Sequence, residues 1–119
     1  MEIKIPGVDV QAGLDLCDGE TDIYLRVLRA FASAIPDALE KIRNVSAETL
    51  RDYLVNVHGV KSTSASIGAE ETRKEAMQLE TLAKAGDLAG VLAQNEAFIK
   101  RTSVLVDNIR GFLEKHDTG

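Results

Sequence analysis

The chain has 119 residues, 45% hydrophobic and 28% charged, with nine Gly and two Pro, a composition suited to one ordered globular domain with a single core. Its net charge is −5 at pH 7, and no run of Lys or Arg forms the patch that a phosphate backbone requires, which argues against nucleic acid as a partner. Trp is absent and aromatics make up only 4%, so Leu, Ile, Val and Ala must build the core.

Residues 1–8 read as an extended lead. The start, Met1-Glu2-Ile3-Lys4-Ile5-Pro6, has no basic segment followed by an apolar one, and no apolar run reaches membrane-spanning length. No membrane insertion and a cytoplasmic location are expected. Val10, Leu14 and Cys17 then recur at helical spacing before Asp18-Gly19 breaks the pattern. Cys17 stands alone, which excludes an intrachain disulfide, and reads as a small apolar residue near a helix end.

Thr21 is the expected N-cap of a second helix, with the stripe Tyr24, Val27, Leu28, Phe31 and Ile35. Pro36 falls inside it and predicts a kink near Ser33 to Ile35, with helix resuming through Leu39 and Ile42. Ser46 is the expected cap of a third helix over Ala47 to Ser66, carrying Leu50, Tyr53, Leu54, Val57, Val60 and Ser64 on one face and ended by Gly68. Glu70 and Glu71 open a fourth, whose stripe is Ala76, Leu79, Leu82 and Ala83 and whose stop is Gly86. Asp87 caps the last, from about Leu88 to Leu113, through Val91, Leu92, Phe98, Ile99, Thr102, Leu105, Ile109 and Phe112. Residues 115–119 are expected to fray, and His116 there is assigned no role. With short loops and no strand-like alternation, the expected fold is all-α: an up-and-down antiparallel four-helix bundle with a short extra N-terminal helix, one domain over 1–119.

One stretch does not read as ordinary helix. Tyr53 to Ala69 carries a single formal charge, Lys61, where the overall composition would give about five. It is also rich in poor helix formers, so its helicity must come from packing. At 100° per residue His58 falls roughly 120° from the apolar face, near Ser62 and Ala65, with Lys61 between that stripe and the core. The imidazole is therefore expected to be at least partly exposed, with the small residues Gly59, Ser62, Ala65 and Ser66 leaving room for something to approach it. An alternative is that the small residues let another helix of the bundle pack closely, with His58 incidental.

The run His58-Gly59-Val60-Lys61-Ser62-Thr63-Ser64-Ala65-Ser66-Ile67-Gly68-Ala69 resembles the phosphorylation motif of histidine-containing phosphotransfer (HPt) domains: a histidine, Lys three residues on, a small tract, and an apolar-Gly pair closing the helix. The lead Pro6-Gly7-Val8-Asp9, the Phe31 to Pro36 region and the Leu79-Glu80 pair extend the likeness over nearly the whole chain. It departs from the family at Ser62, where Gly is usual, at Val60, where Leu is commoner, and at Gly59.

The resemblance implies a phosphocarrier rather than a self-contained enzyme. His58 would accept a phosphoryl group from an aspartate of one response-regulator receiver domain and pass it to another, with Lys61 neutralising phosphate charge; the position of Lys61 at the border of the core face further predicts that it contributes little to folding. Glu80 would orient the imidazole, unless it is simply a solvated surface acid. Gly59, Ser62, Ala65 and Ser66 would meet the partner. The expected partners are receiver domains and a hybrid sensor histidine kinase, with the chain itself a monomer. No cofactor or metal site is expected on this chain, the Mg²⁺ belonging to the receiver. The rival reading is an HPt-like module that binds a receiver or kinase without being phosphorylated.

Overall fold

Each apolar stripe covers one side of a helix only, so the helices must cover one another. In the computed structural model, which describes residues 3–116, they do so as α1 (Val10–Leu16), α2 (Thr21–Ile42), α3 (Leu50–Ile67), α4 (Glu70–Lys84) and α5 (Leu88–His116). No strand occurs among the described residues. The pairs α2–α3, α3–α4, α4–α5 and α5–α2 are in contact, which closes an up-and-down antiparallel four-helix bundle, and α1 lies against α3 and α2. Tyr24, Leu28, Phe31, Tyr53, Val57, Phe98 and Ile109 are among the side chains that fill its interior.

The short α1 is fixed by close backbone approach rather than by a long apolar stripe. Asp9 caps it by accepting from the Ala12 amide at 3.1 Å. The Asp9 amide in turn donates to the Gly68 carbonyl at 2.8 Å, and the Tyr24 hydroxyl donates to the Ile67 carbonyl at 2.8 Å. The start of the chain and α2 thereby satisfy carbonyls that the end of α3 would otherwise leave open. Gly13 is buried in this contact.

Several boundaries differ from the sequence reading. Thr21 is not the cap of α2: it is the first helical residue, after Glu20, which makes no side-chain capping bond. Ser46 and Thr49 bond each other's side chains and amides across a turn, so α3 starts at Leu50 rather than Ala47. The helix α2 runs through Pro36 as one element. Proline has no amide to offer the carbonyl four residues back, and that carbonyl, on Ala32, accepts instead from Arg110 Nη2 of α5 at 3.3 Å.

At the termini, Ile3 and Ile5 of the expected lead are buried in the core. Lys115 and His116, expected to fray, stay helical, with the His116 ring stacked on Phe112 at 4.0 Å between centroids. Residues 1–2 of the lead and 117–119 of the tail lie outside the described residues. On α5, Leu92 is 55% exposed and Asn95 takes the inward position, accepting from the Tyr53 hydroxyl and donating to the Ile42 carbonyl, both at 2.8 Å. No helix is long and apolar enough to cross a membrane.

Candidate functional site

α3 ends at Gly68, whose φ of 84° is the left-handed conformation that glycine adopts without penalty. Only Gly68 and Ala69 separate α3 from α4, so the two helices form a tight antiparallel hairpin. Its register sets His58 opposite Glu80. Val57, Val60, Ser64 and Ile67 turn into the core, which leaves His58 outward with a side chain 57% exposed.

Glu80 is the buried member. Its side chain is only 5% exposed, and both carboxylate oxygens are used: Oε2 meets His58 Nδ1, and Oε1 accepts from Lys61 Nζ at 2.7 Å. The alternative of a solvated surface acid is therefore wrong for Glu80. The Lys61 hydrogen bond holds its carboxyl below the ordinary range, helped by the His58 hydrogen bond and the positive charges of Lys61 and Lys84, against the opposing effect of burial. An ionised carboxylate can only accept, so Nδ1 carries a proton, and in the neutral ring Nε2 keeps its lone pair. Because Nδ1 faces the buried acid, the exposed part of the ring is its Nε2 edge. The pairing fixes tautomer and ring orientation together.

The small residues around the ring are not equivalent. Gly59 and Ser62 are exposed, and a Cβ at Gly59 would meet nothing within 4 Å. Ala65 and Ser66 are half-buried toward the end of α3 against which α1 lies, and Ser66 Oγ donates to the Thr63 carbonyl at 2.6 Å. Val55, one turn before Gly59 on the same outward stripe, is 67% exposed. Its place on the helical wheel, roughly 180° from the apolar face, is the sequence signal for that exposure. Among the described residues no group of three His, Cys, Asp or Glu is arranged to hold a metal ion.

A helical bundle that presents an exposed, carboxylate-backed histidine beside a lysine falls in the class of phosphocarrier domains. The family model described as the Hpt domain matches residues 26–112. The chain belongs to that family, whose members carry phosphoryl groups in two-component signalling and work with receiver domains and kinases. No curated protein and no solved structure matches the chain significantly.

Proposed function

We propose that His58 Nε2 accepts a phosphoryl group from the aspartyl phosphate of one receiver domain and yields it to the aspartate of a second. The observation that carries this reading is the pairing of His58 Nδ1 with buried Glu80, which leaves the other nitrogen nucleophilic and outward. As the Nε2–P bond forms and the donor's P–O bond breaks, the ring keeps its Nδ1 proton and becomes a cation, which the Glu80 carboxylate faces directly. The aspartate carboxylate leaves without needing a proton. The transfer demands in-line positioning and charge neutralisation, and covalent capture divides one exchange between receivers into two.

Lys61 supplies positive charge beside the ring and Glu80 orients it. Gly59 and Ser62, with Val55 behind them, form the surface on which the receiver lands. The divalent metal and the acidic pocket around the reacting aspartate belong to the receiver, and this chain acts as a carrier without its own cofactor.

The test is incubation with a phosphorylated receiver, followed by a search for acid-labile, alkali-stable phosphate on this chain. The chain should be labelled and His58→Gln should not. Label persisting on His58→Gln would overturn the assignment, whereas receiver binding without labelling of the unsubstituted chain would make it an interaction module.

A further inference from the structure

Lys61 is a compromised cation. Its ammonium is already bound by Glu80 at 2.7 Å and its side chain is 25% exposed, so much of its charge is answered before any phosphoryl group arrives. A phosphorylated His58 would carry close to two negative charges on its phosphoryl oxygens. A second positive group is needed nearby if that charge is to be neutralised by this chain.

The geometry of α4 provides one. Lys84 follows Glu80 by four residues, which places it about 6 Å further along the helix and about 40° around it. Glu75, about 140° from Glu80 in the other direction, reaches across to α5, where Arg101 Nη2 meets its Oε2 at 2.7 Å. The flank bearing Glu80 and Lys84 is therefore the one turned toward α3. In the antiparallel hairpin Lys61 lies about 4.5 Å from His58 toward the Gly68 turn, while Lys84 lies on the opposite side of the Glu80 level, away from that turn. The two lysines flank the imidazole along the bundle axis. Lys84 is exposed, and no side chain among the described residues forms a hydrogen bond or ion pair with it. Its charge is nevertheless felt at Glu80.

We infer that Lys84 is the second cation of the phosphoryl site, reaching past Glu80 to the oxygens of the group carried on His58 Nε2. This rests on the phosphorylation of His58 proposed above. Lys61 holds the carboxylate that holds the ring, and Lys84 meets the incoming charge. The bland alternative is a lysine that only complements the carbonyl end of α4, where a cation is favourable in any helix.

The two are separated by phosphorylating the isolated chain with phosphoramidate and following the phosphohistidine by ³¹P NMR. In that reaction the Nε2–P bond forms as the P–N bond of the zwitterionic donor breaks, ammonia leaves with its three protons, and the ring retains its Nδ1 proton. The pH titration of the phosphoryl resonance is then compared for the unsubstituted chain, Lys84→Ala, Lys84→Arg and the control Lys74→Ala, whose lysine pairs with Glu71 near the start of α4. Loss of a cation that reaches the phosphoryl oxygens should raise the phosphoryl midpoint by at least roughly half a pH unit in Lys84→Ala. Lys84→Arg should restore it, and Lys74→Ala should leave it in place. A midpoint unmoved by Lys84→Ala, whether or not the melting temperature changes, overturns the inference while His58 stands. No phosphohistidine signal from the unsubstituted chain, or an undiminished one from His58→Gln, overturns the His58 assignment and Lys84 with it.

Discussion

Lys61 Nζ donates to Glu80 Oε1 at 2.7 Å, tying the helix that carries His58 to its neighbour through a carboxylate only 5% exposed. The helical wheel places Lys61 at the border of the core face, where a lysine would matter little to folding. The structure makes it the principal partner of a buried acid.

Lys61→Ala should therefore cost stability as well as phosphotransfer. Removing one partner from a buried hydrogen-bonded carboxylate costs about 1–3 kcal/mol, which corresponds to a fall in melting temperature of roughly 4–12 °C for a domain of this size. Thermal unfolding followed by far-ultraviolet dichroism measures it. The double variant Lys61→Ala/Glu80→Ala should lose less than the sum of the single losses, because the second change removes the stranded charge. A melting temperature unchanged by Lys61→Ala would mean that the pair contributes nothing to the fold.

The contrast between His58 and Glu80 marks how far the sequence could be read. The outward position of His58 follows from a run of apolar residues at helical spacing, which needs no knowledge of neighbours. Glu80 stands between Leu79 and Leu82 in a polar helix, and apart from the family likeness of the Leu79-Glu80 pair nothing in its local pattern distinguishes it from Glu75 or Glu71 or announces its burial. Its burial comes from the two-residue connection between α3 and α4, which slides it opposite His58 and Lys61. Asn95 was missed for the same reason: it faces inward because Tyr53 and the Ile42 carbonyl meet it there, and its polarity concealed it in a stripe where Leu92 looked the better candidate. Ile3 and Ile5 are buried by contacts that so short a pattern cannot announce.

Stability toward acid should depend on Glu80. Its carboxyl is held below the ordinary value of 4.5, chiefly by Lys61, so its stabilising contribution is fully present above that pH and is lost as the pH falls through the lower, folded-state value. Glu80→Gln should melt at a lower temperature at pH 7, yet lose less on acidification from about pH 4.5 downward. Glu70, also lowered by its Arg73 partner, acts equally in both proteins and cancels in the comparison. Melting curves between pH 7 and 3 test this, and parallel acid limbs would count against it.

Two glycines should respond in opposite directions to the same methyl group. At Gly13 a Cβ would overlap the Tyr24 ring and lie 2.6 Å from the Ile67 carbonyl oxygen, so Gly13→Ala must push α1 off α3, costing about 1–3 kcal/mol. At Gly59, helical and open to solvent, the methyl group meets nothing, and Gly59→Ala should gain up to about 1 kcal/mol from reduced backbone freedom in the unfolded chain. Chemical denaturation of both variants gives the two signs in one experiment. A destabilised Gly59→Ala would contradict the open environment of that position.

Ser62 decides whether the small stripe serves a partner or the bundle itself. It lies one helical turn beyond His58, about 6 Å along the axis and some 40° around it, so a domain that reaches the Nε2 edge of the ring must pass over it. Its side chain is exposed, so an arginine there can extend into solvent without entering the core, and substitutions of that kind usually stay within about 0.5 kcal/mol. Ser62→Arg should therefore melt almost as the unsubstituted chain does, while receiver binding and phosphoryl exchange fall together through a clash and an added charge at the interface. Labelling by phosphoramidate, a donor small enough to avoid the arginine, should be much less affected. Were the stripe instead a close crossing within the bundle, the same change would overpack it and cost about 1–3 kcal/mol, with transfer failing only as the fold does. Calorimetry and receiver-dependent transfer on the one variant distinguish these cases. A stable Ser62→Arg that exchanges phosphoryl with the receiver at the original rate would move the docking surface off this stripe, toward the α4 side of His58 where Met77 and Lys84 are exposed.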